Sequence, residues 1–227
     1  MKGTLNRDYA RQREERIALK YRLRRRTDEA ILAIEAFRPR PERILDLGTA
    51  EGRMLSRLQA CYPSSHCVGL EYSADLLALG TRLFRDLSLI RADAQKMPYF
   101  KAASFDVIVA AAIIEHLADP AGMLKETARV LKPEGVLILT TPHPFWDKLA
   151  GRLGMIEGDH QSVMSLQTLK EEGRRAGLDV LESRGFMISP VGLPGEQLVE
   201  MALRRVGFDR HLANQLLVLG KPRRAGS

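Results

Sequence analysis

Ile44-Leu45-Asp46-Leu47-Gly48-Thr49-Ala50-Glu51-Gly52 is the stretch that decides the fold of this 227-residue chain. A short apolar run ends in an aspartate and breaks into a turn with glycines at 48 and 52. A segment with helical apolar spacing (Met54, Leu55, Leu58) follows at once. That order predicts a buried parallel strand, a tight turn and a helix N-terminus. Gly48 can supply a backbone geometry that other residues resist, and Gly52 lets a ligand or the helix backbone come close. A nucleotide-like molecule is expected on the turn.

Outward from this unit, strands and helices alternate. Strands are predicted at residues 43–47, 66–71, 88–91, 105–110, 135–141 and 178–188, with a last one near 215–219. Helices are predicted at 52–61, 74–86, 120–131, 166–176 and 196–205. Asp119 before Pro120 reads as an N-cap followed by proline at the first helical position, and Gly177 as a helix stop. Residues 5–37 read as two helices meeting near Thr27, ended by Arg-Pro-Arg-Pro at 38–41. The alternation implies an α/β fold, a Rossmann-like, doubly wound, mostly parallel sheet with a helical N-terminal extension. Three parts are expected: a basic helical extension or lid at 1–41, the main domain at 42–222 with a lid insert at 142–165, and a disordered tail at 223–227.

A content of 45% hydrophobic and 28% charged residues is that of a soluble globular domain. Cys61 and Cys67 lack metal or redox spacing and read as reduced thiols in a cytoplasmic protein. No apolar run approaches the roughly 18 residues of a membrane span, and no secretory leader is recognisable. Most of the +7 net charge lies early: up to Arg43 there are 13 basic and seven acidic residues. Arg22 and Arg24 to Arg26 are too dense for simple pairing. They could meet nucleic acid, an anionic lipid surface or an acidic substrate.

In doubly wound sheets the ligand crevice lies outside the carboxyl ends of the strands. Asp46–Gly48, Glu71, Asp93 and the residues near Ala111–Ile113 therefore become candidates. The turn is no P-loop, because no Gly-Lys-Ser/Thr follows. Gly48, Ala50 and Gly52 follow G-x-[GA]-x-G rather than the dinucleotide spacing. Glu71 suits a ribose, since two carboxylate oxygens can accept from both hydroxyls.

With these residues in view, Ile44–Leu55, Val68-Gly69-Leu70-Glu71 and Arg91-Ala92-Asp93-Ala94 resemble the class I S-adenosylmethionine-dependent methyltransferases. So do Met97-Pro98-Tyr99, Ser104–Ile108, Ile114-Glu115-His116-Leu117, Met123–Glu126 and Arg129–Gly135. The branch most similar is the methyltransferase type 11 group that includes ubiquinone and menaquinone biosynthesis methyltransferases. The resemblance implies that Gly48, Thr49, Ala50 and Gly52 approach the methionine part of the cofactor, with Asp46 beneath the turn. It also implies that Glu71 and Tyr72 meet the ribose, and that Asp93 and Ala94 meet the adenine. Met97, Ala111 and Ala112 would pack around adenine and sulfonium. The family's turn usually carries a further glycine and a small residue where this chain has Ala50 and Glu51.

A carbon or oxygen acceptor also needs its proton removed. His116, His143 and His160 are the candidate bases, and their spacing does not suggest a metal site. Phe145, Trp146, Leu149, Leu153, Met155 and Ile156 of the insert, beside the basic helices, imply an apolar lid with a positive rim. Such a lid suits a hydrophobic, lipid-like or anionic small molecule, and peripheral membrane contact is compatible with it. The expected activity is O- or C-methylation. An RNA methyltransferase and a non-catalytic protein binding S-adenosylmethionine or S-adenosylhomocysteine are the alternatives.

Overall fold

The computed structural model describes residues 17–152, 163–189 and 191–222. His160, the insert residues Leu153, Met155 and Ile156, the first 16 residues and the tail after Pro222 lie outside the described residues. Strands β1 (Arg43–Leu47), β2 (His66–Glu71), β3 (Ser88–Arg91), β4 (Phe105–Ala111), β5 (Leu131–Pro142), β6 (Asp179–Phe186) and β7 (Asn214–Gly220) form one sheet. Its order is β3-β2-β1-β4-β5-β7-β6. β7 pairs antiparallel with both β5 and β6, and the other pairings are parallel. The helices are α1 (Ile17–Phe37), α2 (Arg53–Cys61), α3 (Ala74–Leu83), α4 (Pro120–Val130), α5 (Pro144–Arg152), α6 (Leu166–Arg175) and α7 (Glu196–Arg205).

Both faces of the sheet are covered, so the central strands read as nearly unbroken apolar runs rather than alternating ones. Val107 and Val109 point to one core with Ile44, Leu55, Leu58 and Ile34. Ile108 and Ala110 point to the other with Leu45, Leu47, Met123 and Leu137. The helix signals act as their chemistry predicts. Asp119 accepts from the Gly122 N–H at 2.9 Å with Pro120 behind it, and Gly177 has φ +83°.

The expected break at Thr27 is absent, and α1 runs unbroken through it. The Thr27 hydroxyl donates back to the Leu23 carbonyl at 2.8 Å instead of capping a new helix. α1 packs on the sheet, with Ala30, Ala33 and Ile34 buried among β1, α2 and β5 side chains. β5 begins four residues earlier than predicted. Glu134 takes φ +61°, and the pairing with β4 shifts register between Phe105 and Val107, so Pro133-Glu134 is accommodated as an irregularity inside the strand.

Asp106 ties the amino-terminal edge of the sheet together. Its carboxylate accepts from Arg38 at 2.8 Å, Lys132 at 3.0 Å, and the main-chain N–H groups of Glu42 and Arg43 at 3.1 and 3.0 Å. Burial pushes this carboxyl up, but the Arg38 and Lys132 bonds and the main-chain donors outweigh it and hold it below the ordinary aspartate range. A depressed folded-state value stabilises the fold above the unfolded pKa, and that contribution is lost as pH falls through the folded value. Asp106→Asn should therefore cost about 1–3 kcal/mol at pH 7. The gap to wild type should narrow towards pH 3, as urea titrations at the two pH values will read.

Candidate active site

A crevice of about 660 Å³, counting its open mouth, lies outside the carboxyl ends of β1 and β4, where the strand order reverses direction. Its floor is Asp46, Gly48, Thr49 and Ala50 with Met54, one wall is Ala111 and Ala112, and its roof is Leu19, Arg22, Leu23 and Arg26 of α1.

The turn is built from left-handed residues at every second position: Gly48 at φ +69°, Ala50 at +51° and Gly52 at +85°. Ala50 thus occupies a conformation that costs a non-glycine residue roughly 1 kcal/mol. Two interactions hold the turn in place. The Thr49 hydroxyl donates to Asp46 Oδ2 at 2.7 Å, and the Ala50 N–H donates to Glu71 Oε2 at 2.9 Å. Glu71 Oε1 meanwhile accepts from the Ser73 N–H at 2.8 Å. The carboxylate is therefore fixed at both oxygens.

Glycines supply the remaining room. A Cβ at Gly48 would sit 2.8 Å from Ile113 Cδ1, and one at Gly69 would sit 2.7 Å from the Thr49 methyl. Gly80 lets α3 approach the Glu51 carbonyl, where a Cβ would come within 3.1 Å. Glu51 is itself buried and bonds Arg53 at 3.0 Å, so the side chain that departs from the family pattern turns away into the protein.

Tyr72 is exposed at the end of β2, and its carbonyl accepts from Arg91 at 3.2 Å. Asp93 is half-buried at the end of β3, where Oδ1 accepts from the Gln95 main chain at 2.8 Å and side chain at 3.0 Å. Ala94 and Met97 are both buried in the core. Met97 is fixed by its N–H on Glu126 (2.7 Å) and its carbonyl on Arg129 (2.8 Å). Met97 therefore belongs to the packing beneath β3 and does not line the open crevice. Ala112 has φ +54°, and its N–H is tied to the Thr140 carbonyl at 2.8 Å, which directs the loop after β4 along the crevice.

His116 lies in a short 3₁₀ turn, Ile114–His116, directly after that loop. His143 serves as the N-terminal cap of α5: its carbonyl accepts from the Asp147 N–H at 3.0 Å, and its Nδ1 from the Phe145 N–H at 3.2 Å. Burial pulls its pKa below the ordinary range. Nearby His211 adds to this, and a hydrogen bond with the Arg210 main chain opposes it. The imidazole is kept neutral, with one lone pair spent on a helix terminus rather than presented to an acceptor. Among the described residues, no group of three or more His, Cys, Asp or Glu side chains could hold a metal.

The four dense arginines separate. Arg24 pairs loosely with Asp28 at 3.8 Å, while Arg25 is buried and bonds Glu29 and Glu200 at 3.2 and 2.6 Å. Arg22 and Arg26 face the crevice, and Arg26 is held by Asn214 Oδ1 at 2.9 Å. Sequence reasoning noticed the cluster but could not assign these two arginines to the site. The only sign was the i, i+4 spacing of Arg22 and Arg26, interleaved with the i, i+4 pair Leu19 and Leu23.

Gly48→Ala should lower stability by about 1–3 kcal/mol, because it adds both left-handed strain and a clash with Ile113. Adding Ile113→Val removes the nearest clashing carbon and should restore part of the loss, as paired thermal melts will read. His143→Ala should lower stability by about 0.5–2 kcal/mol, the usual cost of a lost cap, and leave ligand affinity in the crevice within twofold, read by melts and calorimetry.

The crevice suits S-adenosylmethionine. Gly48 and Gly52 keep the turn narrow, Glu71 braces it from the end of β2, and Asp46 and Arg22 put opposite charges on the crevice lining. Residues 9–183 match a family model described as "Methyltransferase domain". The chain is 32% identical over 116 residues to demethylmenaquinone methyltransferase of Thermotoga maritima, covering 51% of this chain and 48% of that one. To malonyl-[acyl-carrier protein] O-methyltransferase of Legionella pneumophila it is 36% identical over 108 residues, covering 46% and 37%. The match thus spans less than half the length of these curated relatives. A SAM-dependent methyltransferase structure from Thermotoga maritima superposes with a TM-score of 0.67 at 19% identity, covering 95% of each chain, which establishes the likeness of fold. The matched family, the seven-stranded sheet and the crevice residues agree: the chain belongs to the class I S-adenosylmethionine-dependent methyltransferases.

Proposed function

We propose that the chain transfers a methyl group from S-adenosylmethionine to a small, largely apolar acceptor bearing an acidic group, by O- or C-methylation. The observation that carries this reading is the crevice at the β1/β4 switch. It combines a left-handed turn braced by Glu71 and Asp46 with two guanidinium groups, Arg22 and Arg26, on its roof. The cofactor, when bound, supplies an electrophilic methyl on a positively charged sulfur. The chain's own task is therefore alignment and exclusion of water, and alignment alone can supply roughly 7–11 kcal/mol of a barrier in favourable cases.

In this reading Gly48, Thr49, Ala50 and Gly52 form the floor under the methionine moiety. Glu71 holds the ribose, Asp93 and Ala94 the adenine, and Ala111 and Ala112 the wall beside the sulfur. The first turns of α1, with α5 beside them, close over the acceptor. His116, next to the loop that carries Ala112, is the better-placed base of the two described histidines, because His143 is committed to α5. His160 lies outside the described residues. The relatives' names support the two halves of this description separately: demethylmenaquinone is apolar, whereas a malonyl carrier and, in a 30%-identical relative from Azoarcus, trans-aconitate are acidic.

Glu71→Ala should weaken S-adenosylhomocysteine binding by roughly 10–100-fold, the equivalent of losing hydrogen bonds to a charged acceptor. Calorimetric titration reads it, with a melt to confirm folding. Wild-type affinity in that variant would overturn the assignment of the crevice.

A further inference from the structure

Helix α7 is inside out. Its buried residues are two glutamates, Glu196 and Glu200, while Leu198, Val199 and Met201 face solvent at 68, 51 and 45% exposure. The carboxylates are inside for a reason. Glu196 accepts from the main-chain N–H groups of Ile188 (2.7 Å) and Leu193 (3.0 Å) and from the Tyr21 hydroxyl (2.9 Å). Glu200 accepts from the Met187 N–H (2.9 Å) and from Arg25 (2.6 Å). With that face committed, the helix has only the outward face left for its apolar side chains.

Exposed apolar residues extend on both sides of α7. Val191 and Leu193 precede it, and Val206 and Phe208 follow it. The Phe208 ring lies 5.8 Å from His211, whose carbonyl accepts from Trp146 Nε1 at 2.7 Å, and Trp146 packs edge-on against Phe145 at 5.1 Å. α5 thus joins the same surface, bringing exposed Phe145, Trp146 and Leu149. A connected apolar surface of this kind is unusual on a protein that keeps it in water.

Its charge identifies what covers it. Residues 191–211 contain three acids. Glu196 and Glu200 are buried, and half-buried Asp209 accepts from the Gly185 N–H at 3.1 Å. The exposed charged side chains of the stretch are all arginines: Arg204, Arg205 and Arg210. On α5, Lys148 and Arg152 are exposed as well. Aliphatic side chains, a tryptophan with a polar tip and a rim of cations with the acids withdrawn are the chemistry of an interface with an anionic bilayer.

We propose that the α5–α7 surface docks the protein on anionic lipid membranes. The surface sits beside the crevice. α5 leaves the carboxyl end of β5, and α7 is bound through Glu200 and Arg25 to the helix that roofs the site. An apolar acceptor partitioned in the bilayer would reach the crevice without crossing bulk water. The docking itself does not depend on methyl transfer and is read independently of it.

Trp146 is the chain's single tryptophan, so its fluorescence reports this surface without labelling. Full-length protein at low salt should pellet with phosphatidylcholine vesicles containing about a quarter phosphatidylglycerol, and its emission should shift to the blue. Pure phosphatidylcholine should do neither, and added salt should reverse both effects. Arg204→Glu with Arg205→Glu should weaken binding by roughly fivefold to tenfold per arginine. Leu198→Glu with Met201→Glu should abolish it, and S-adenosylhomocysteine affinity should be unchanged in either pair. All four positions are exposed, so thermal melts should stay at the wild-type value. The proposal is overturned if wild-type protein ignores the anionic vesicles, if both pairs bind like wild type, or if light scattering finds a dimer that Leu198→Glu with Met201→Glu dissociates.

Discussion

The buried ionic network between α1, β6 and α7 is the constraint on which the site depends. Arg25 lies between Glu29 and Glu200, Glu29 also binds Arg184, and Arg184 in turn binds Glu182. Burial opposes the charge on Arg184, and its glutamate partners outweigh that and raise its pKa. Breaking a buried pair by removing one partner typically costs about 3–5 kcal/mol, whereas replacing a whole network by apolar groups can be neutral or stabilising. Such a network therefore adds little net stability, and its value here lies in geometry. Only one rotation of α1 about its axis puts Arg25 against Glu200, and that rotation turns Leu19, Arg22, Leu23 and Arg26 over the crevice.

A second constraint lies in the turn. Ala50 holds a left-handed conformation without glycine's freedom, and its methyl is buried against Leu76. The strain of roughly 1 kcal/mol is offset by the Ala50 N–H bond to Glu71 and by burial of the methyl. Glu71 is thus a structural brace and a prospective ligand group at once. The residue that departs from the family pattern is accommodated by the residue that the pattern keeps.

Most of the fold was legible because its signals are local. Four elements, β1, β2, β3 and α7, begin and end where propensity and turn residues place them, and Asp119-Pro120 and Gly177 mark helix limits by their own chemistry. The errors come from tertiary partners that no local pattern shows. Thr27 looks like a cap, yet α1 continues because Glu29 and Arg25 are anchored to β6 and α7, more than 150 residues away. At the crevice, the turn and Glu71 were readable from spacing. The arginine roof was not, since a run of basic residues reads as solvated until the helix is docked. His143 looked like a base by its place after β5. In the fold the Phe145 and Asp147 N–H groups, two and four residues on, bond it as a cap.

The same network explains the outer surface. A helix whose inward face carries two carboxylates cannot bury leucine and methionine there, so Glu196 and Glu200 settle the fate of Leu198, Val199 and Met201. Withdrawing those acids also removes negative charge from the surface, leaving Arg204, Arg205 and Arg210 beside bare aliphatic groups. One set of buried charges thereby does two things: it turns the arginines of α1 towards a small ligand, and it turns the apolar side chains of α7 towards a large one. Two polar links join the helix that roofs the crevice to α7, Arg25 with Glu200 and Tyr21 with Glu196. Glu200 is pulled in opposite directions by its neighbours. Burial pushes its pKa up and Arg25 pulls it down, while its hydrogen bond to Glu196 pushes it up again, leaving it above the ordinary glutamate range.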